Sequence, residues 1–248
     1  MKKTLHRADL AARTLRQAII EQVLTPGTKL PEDQLGAQFG MSRTLVRATL
    51  ARLQAEGLVE THPKRSATVA QPTLKEAQDV FDLRRVLELE AVRLIAHKWR
   101  PEFGAELEAH LSEQTSAHAA GDERVAIRLA GEFHVALAGL TGNGLLKRYL
   151  AELVSRCSLI LATFARPHSS ECAISEHRAI IAALRRRDGA KAVALMDEHV
   201  GAVALRALIV AAEEPKRDLG AILSGYMTAS DVTHGAVELR KATRDAKR

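Results

Sequence analysis

The stretch Gly40-Met41-Ser42-Arg43-Thr44-Leu45-Val46-Arg47 joins two short amphipathic segments and decides the fold of the N-terminal part of the chain. Its glycine can end one helix in the left-handed conformation, and its serine is a residue type that caps the start of the next. The basic and hydroxyl side chains that follow lie on the exposed first turns of that second helix. A helix that presents such groups from its N-terminal end suits the major groove of DNA. The stretch therefore predicts a helix-turn-helix.

The segments on either side extend this unit to a winged helix-turn-helix. Apolar residues at helical spacing predict helices over 9–23, 31–40 and 43–56. After a glycine stop, the runs 58–61 and 67–70 are typical of short strands, and a basic loop joins them. The candidate DNA contacts are the exposed residues at the start of the second helix and in this loop: Ser42, Arg43, Thr44, Arg47, His62, Lys64 and Arg65.

The run PGTKLPEDQLGAQFGMSRTLVRATLARLQAEGLVETHPKRSATV, residues 26–69, resembles the DNA-binding domain of the GntR family of bacterial transcription regulators. It has that family's PG-x-x-LP entry, its LG-x-x-FG helix, its SRT-x-VR recognition segment and its L-x-x-EGLV exit to the wing. The resemblance covers residues 9–70. It implies a homodimer that binds a palindromic operator in double-stranded DNA, with one recognition helix in each of two successive major grooves.

Positive charge is concentrated in the N-terminal part of the chain. Residues 1–70 hold 11 Lys and Arg against 6 Asp and Glu, a net charge of +5, whereas residues 71–212 hold 18 of each. A basic module joined to a neutral one is typical of nucleic-acid binding. No apolar run is long enough to span a membrane, and no secretory signal is recognisable. We therefore expect a cytoplasmic protein whose two cysteines are free thiols.

The remainder of the chain predicts a mainly α protein with an antiparallel all-helical bundle after the winged helix. We place the DNA-binding domain at 1–70, a linker at 71–78, a helical effector-binding and dimerisation domain at 79–212, and a tail of unassigned role at 213–248. Proline and glycine punctuation divides the bundle into amphipathic segments with no alternating strand pattern between them. The predicted helices cover 74–99, 102–120, 122–141, 144–165, 171–187 and 189–212.

Three of the ten histidines lie on the apolar stripes of their helices. These are His134, His177 and His199, each with Ile, Leu, Met, Ala or Val residues on the same face. A buried imidazole without a partner costs about 1–3 kcal/mol, so each needs a hydrogen-bond partner or a shared metal ion. Neutral imidazole is a common ligand of zinc and similar ions. The pattern leaves open three satisfied core histidines or one metal site.

The segments LRRVLELEAVRLIA, EFHVALAGLTGN and SEHRAIIAALRRRDGAKAVALMDEHV resemble the FCD effector domain that accompanies one GntR subgroup. The resemblance implies a divalent metal, zinc or nickel-like, held by the three histidines and an acid one turn before His134. That position is Ala130, so the site lacks the expected carboxylate. The resemblance also implies that Arg84 faces the cavity and binds a small carboxylate effector, although Arg84 could equally pair with Glu88 one turn on.

These features predict a DNA-binding transcription regulator, a repressor, that responds to a small organic acid. Two other functions fit part of the sequence. A metal-dependent hydrolase would use the three-histidine site, although no acid at motif spacing would serve as its general base. A structural DNA-binding protein would use the bundle only to dimerise and would not respond to an effector. The winged helix favours the regulator over the enzyme.

Overall fold

The secondary structure is almost entirely helical in this computed structural model, which describes residues 2–63, 65–164 and 171–212. The elements follow the chain in this order: α1 (Lys2–Ile20), β1 (Lys29–Leu30), α2 (Glu32–Phe39), α3 (Arg43–Ala55), β2 (Val59–Glu60), β3 (Ala67–Val69), α4 (Leu74–His97), α5 (Pro101–Ala119), α6 (Glu123–Leu140), α7 (Gly144–Phe164), α8 (Glu171–Arg185) and α9 (Gly189–Ala212). None of the helices in these ranges combines the length and apolar character needed to cross a bilayer. The mainly α fold with a winged helix-turn-helix and a helical bundle is confirmed.

The turn between α2 and α3 forms as the opening stretch predicts. Gly40 adopts φ 60° and ends α2 in the left-handed conformation, which glycine enters without the steric penalty of a Cβ atom. The Ser42 hydroxyl accepts a hydrogen bond from the backbone N–H of Leu45 at 3.4 Å. Val46, Leu50 and Leu53 are buried, so α3 turns its opposite face to solvent.

A three-stranded antiparallel sheet forms the wing, with strand order β1-β3-β2. The β2–β3 hairpin confirms the two predicted strands, with Val59 opposite Val69. β1 was not predicted, because two residues beside a Pro-Gly turn carry no detectable alternation. It forms because Leu30 is buried in the domain core and its backbone pairs with Ala67.

Helix α4 begins the bundle inside the segment that we predicted as linker. Thr73 caps it through a complete capping box with Glu76, so α4 begins at Leu74 and only residues 71–73 of the predicted linker lie outside a helix. The other bundle helices lie within a few residues of the predicted bounds. Their buried residues form a core around Ile95, Leu107, Phe133 and Ile180.

Helix α1 differs from its prediction at both ends. It begins at Lys2 rather than Asp9, because the residues before Asp9 are mostly good helix formers. It ends at Ile20 rather than Val23, because Gln22 adopts φ 58°. The tail 213–248, to which we assigned no role, lies outside the described residues.

Helix α7 connects the winged helix to the bundle. Leu159 is 1% exposed and packs into the core of the winged helix rather than that of the bundle. Arg156 Nε donates a hydrogen bond to the carbonyl of Glu56 at 3.0 Å. On α6, Arg128 Nε donates to Glu21 at 2.8 Å, next to the end of α1. The two parts of the molecule are therefore in direct contact through α1, α6 and α7.

Candidate functional site

His134, His177 and His199 meet inside the bundle. They come from α6, α8 and α9, and their relative exposures are 2%, 0% and 3%. One nitrogen from each imidazole lies within 4.8 Å of one from each of the others. The Nε2 atoms of His134 and His199 are 3.2 Å apart. The structure thus brings together the three histidines that sequence analysis singled out.

Each imidazole has an oxygen-bearing side chain at its outer nitrogen. Glu88 Oε2 lies 2.5 Å from His134 Nδ1, and Glu176 Oε2 lies 2.5 Å from His199 Nδ1. Gln114 Oε1 lies 3.3 Å from His177 Nδ1. A proton on Nδ1 of His177 or His199 would face the neighbouring oxygen, whereas Nδ1 of His134 lies beside Glu88 without forming a hydrogen bond to any described residue. Protons on the Nδ1 atoms leave the Nε2 lone pairs free for a shared ion.

Burial favours the neutral form of two of these imidazoles, those of His134 and His177. It lowers the pKa of His134 to about 4, against the opposing effect of Glu88. Burial also lowers the pKa of His177 well below its ordinary value, and the neighbouring His134 and His199 add to this effect. The pKa of Glu176 is lowered by its hydrogen bond to His199. Neutral imidazole is the form that binds a metal ion.

The geometry of the cluster fits a divalent metal ion. Two nitrogens bound to one ion at about 2.1 Å stand roughly 3.0–3.4 Å apart in octahedral or tetrahedral geometry, and the observed Nε2 separation is 3.2 Å. His177 Nε2 is buried and has no hydrogen-bond partner within residues 2–63, 65–164 and 171–212. Its ring is held by stacking on Phe133, with centroids 3.9 Å apart. A bound ion would satisfy this nitrogen and relieve the contact between the other two.

The sequence left Arg84 either facing the cavity or paired with Glu88, and the structure shows both. Arg84 is 4% exposed, pairs with Glu88 and donates from Nη1 to Cys157 Sγ at 3.1 Å. Burial acts to raise the pKa of Glu88, but Arg84 and His134 outweigh it and bring that pKa to about 2. Glu88 therefore joins the arginine to the histidine cluster.

A cavity of about 80 Å³ lies against the histidines. One water needs roughly 10–15 Å³, so the cavity has room for a small molecule. Ala130 and Gly131 lie in its wall. The family resemblance would place an acid at position 130, and alanine supplies no carboxylate there. The polar groups of the wall include Arg84, Ser158 and Arg206, and the buried Nε of Arg206 has no hydrogen-bond partner in the part of the chain that the structure describes.

The predicted DNA-contacting residues of α3 are exposed. Arg43 and Arg47 have side-chain exposures of 71% and 69%, and Thr44 is exposed between them. Both arginines are paired with acids of α2: Arg43 Nε with Asp33 at 2.8 Å and Arg47 Nε with Glu32 at 2.8 Å.

The remaining predicted contacts are Ser42 and the wing residues. Ser42 is exposed and serves as the cap of α3. His62 and Arg65 are exposed beside the hairpin, and Lys64 lies outside the described residues.

Several residues of the site were missed by sequence reasoning. Gln114 had a detectable signal, since it continues the apolar stripe of α5 and is fully buried. Glu176 had none, because an acid beside a histidine is ordinary on a helix surface. Arg206 and Gln22 reach the cavity only through the packing of distant segments. Cys157 and Cys172, expected as free thiols, are both free, one buried and one exposed.

Two family descriptions match this chain. Residues 7–69 match "Bacterial regulatory proteins, gntR family" and residues 79–202 match the FCD domain. The first range contains the winged helix and the second contains all three histidines.

Individual proteins similar to this chain are also described as transcription regulators. The chain is 27% identical over 178 residues to YdhC of Bacillus subtilis, described as an uncharacterized HTH-type transcriptional regulator, with 70% of this chain and 79% of that protein covered. It is 24% identical over 189 residues to the transcriptional repressor RspR of Escherichia coli, covering 76% of this chain and 83% of that protein. The solved structure of Escherichia coli McbR/YncC has the same fold, with a TM-score of 0.69, 24% identity and coverage of 79% and 96%.

Proposed function

This chain belongs to the GntR family of bacterial transcription regulators, and we propose that it is a repressor whose operator affinity is controlled by a small organic acid bound in its FCD domain. The main support for ligand control is the cavity, which is bordered by three buried imidazoles together with Arg84 and Arg206. An apolar core would not place so many polar groups around empty volume without a polar occupant to satisfy them.

We assign a separate function to each of the two domains. We assign DNA binding to residues 1–70, the connection to 71–78, and ligand binding and dimerisation to 79–212. A protein that acts on chromosomal DNA works in the cytoplasm. The family consists of transcription regulators rather than enzymes, so we propose that the histidine site binds its ligand without turning it over.

The DNA contacts are proposed from the exposed face of α3 and from the wing. Arg43 and Arg47 would reach base edges or phosphates in the major groove, and Thr44 a phosphate or base edge. Ser42 would orient the start of the helix. His62, Lys64 and Arg65 would contact the backbone or the minor groove. The exposure of Arg43 and Arg47 supports this assignment, because neither side chain is needed in the core.

A homodimer would present two such faces to the two halves of a palindrome. Large apolar side chains on α4 and α7 support this state, since Val86 is 62% exposed, Leu145 61% and Tyr149 49%. Exposed apolar residues of this size are used at interfaces between protein chains.

The proposed ligand site combines a divalent ion with a carboxylate. His134, His177 and His199 would hold zinc or a nickel-like ion through Nε2, and the ion would supply coordination positions for an acid group. Because Ala130 provides no ligand, a bound ion would have one more position left for water or for the acid. The guanidinium of Arg206 can pair with a second polar group of the same molecule.

The proposal is tested by selecting duplexes from random double-stranded DNA and measuring their affinity by fluorescence anisotropy. Arg47→Ala should weaken binding by about 1–3 kcal/mol and flatten the salt dependence. The matched control is Arg93→Ala on α4, an exposed arginine outside the winged helix, which should leave the affinity unchanged. Failure to enrich any duplex sequence, or equal losses in both variants, would contradict this assignment of the DNA-binding face.

A further inference from the structure

The cavity is bordered by the DNA-binding part of the chain as well as by the bundle. Gln22 follows α1 of the winged helix and lines the same cavity as the three histidines. Its side chain is half-buried. All the other lining residues in the described parts of the chain come from α4, α6, α7, α8 and α9.

The backbone at Gln22 holds an unusual conformation. Its φ is 58°, in the left-handed region that favours glycine, and backbone hydrogen bonds from Val23 and Leu24 to the carbonyl of Ala18 fix the turn around it. A non-glycine residue in this region is strained and persists only where the surroundings hold it. This turn places Gln22 at the edge of the cavity.

Two helices of the cavity wall, α6 and α7, also contact the winged helix. Glu21 accepts a hydrogen bond from Arg128 of α6 at 2.8 Å, and the ion pair is largely buried. Helix α7 supplies Cys157 and Ser158 to the cavity and, on its other side, Leu159 to the core of the winged helix. The elements that shape the cavity therefore also position α1.

We infer that the DNA-binding domain forms part of the ligand site, with Gln22 as its ligand-facing residue. This inference rests on the proposed function and specifies how a ligand in the cavity would act on the DNA-binding domain. The Gln22 amide offers one donor and one acceptor group, which suit a hydroxyl or carboxyl group of a small organic acid. A molecule that fills the cavity contacts the residue that follows α1. If it binds one placement of α1 more tightly than the placement that DNA requires, it lowers the affinity for DNA by that difference in binding free energy.

The first test needs neither an identified ligand nor DNA. The chain has two cysteines, and in a Cys172→Ser background Cys157 is the single thiol, buried in the cavity wall. Its alkylation by iodoacetamide, followed by intact-protein mass spectrometry, reports entry into the cavity. Gln22→Gly removes the wall side chain without backbone strain, so we expect alkylation at least about tenfold faster than in the parent.

The control is Arg187→Gly, which changes the other left-handed non-glycine residue of the described chain. Arg187 borders a different surface pocket near α9, so its replacement should alter the rate less than about twofold. Urea unfolding of both variants checks that faster alkylation does not come from lost stability. Equal rates for the parent and Gln22→Gly would overturn the inference.

The second test uses the alkylated Cys157 as a permanent occupant of the cavity. The adduct should change the affinity of the parent for a selected duplex by at least about fivefold, and Gln22→Gly should reduce that change to less than about twofold. An adduct effect of equal size in both proteins would overturn the role of Gln22. If no unmodified protein binds a specific duplex, the proposed function fails, and the alkylation rates still decide whether Gln22 walls the cavity.

Discussion

Removing the charge of Glu88 should destabilise the helical domain strongly. The Glu88 carboxylate is 1% exposed and contacts both Arg84, whose side chain is 5% exposed, and His134. Glu88→Gln removes the negative charge that faces the buried Arg84 guanidinium, whose other polar contact is the thiol of Cys157. Breaking a buried ion pair by removing one partner costs about 3–5 kcal/mol, because the remaining charge stays desolvated.

The same helix offers a matched control. Arg85 pairs with Asp197 of α9, but the two side chains are 57% and 35% exposed, so Asp197→Asn should cost only about 0–1 kcal/mol. Urea unfolding followed by far-UV circular dichroism separates the two cases. With an m-value of about 2 kcal/mol per M, Glu88→Gln lowers the midpoint by roughly 1.5–2.5 M. A midpoint for Glu88→Gln close to that of Asp197→Asn would refute the buried charged pair.

Three further outcomes follow from the site and the DNA-binding face. Glu32→Gln frees Arg47 and removes a negative charge near DNA, so affinity for any duplex should rise about two- to tenfold at low salt in anisotropy titrations; weaker binding would mean that Glu32 positions the arginine. Gln114→Leu removes the partner of His177 Nδ1 and should weaken zinc or nickel affinity about 10–100-fold in a chelator competition; unchanged affinity would contradict this role. For the metal-free protein, the pKa of His134 is about 4 when folded against 6.5 otherwise. The unfolded chain then binds more protons, so urea stability should be full above pH 6.5 and fall as pH drops toward 4; a flat profile would contradict the lowered pKa.

The sequence was sufficient for the elements that local chemistry determines. Gly40 and Ser42 end and start their helices by their own conformational preferences, and the Thr73–Glu76 capping box fixes the start of α4. The burial of the three histidines followed from helical periodicity alone. That they share one centre could not be derived from spacing within any helix, since it depends on how α6, α8 and α9 pack against one another.

The features that sequence reasoning missed depend on long-range packing or on backbone geometry. Strand β1 exists only because β3 lies beside it. Glu88 was predicted as a partner for Arg84, but its second contact, with His134, joins α4 to α6. Gln22 carries no motif, and its place in the cavity arises from a left-handed residue at the end of α1 together with the docking of α1 onto α6 and α7.

Metal stoichiometry of the whole chain tests the histidine site most directly. The protein is treated with chelator, reloaded with equimolar zinc or nickel, desalted and measured by native mass spectrometry beside His177→Leu, in which the orphaned buried nitrogen is absent. We predict about one ion per chain in the parent and almost none in the variant, because three imidazoles are needed to hold it. A parent that stays metal-free, or a variant that binds the ion equally well, would contradict the metal site at the centre of the proposed switch.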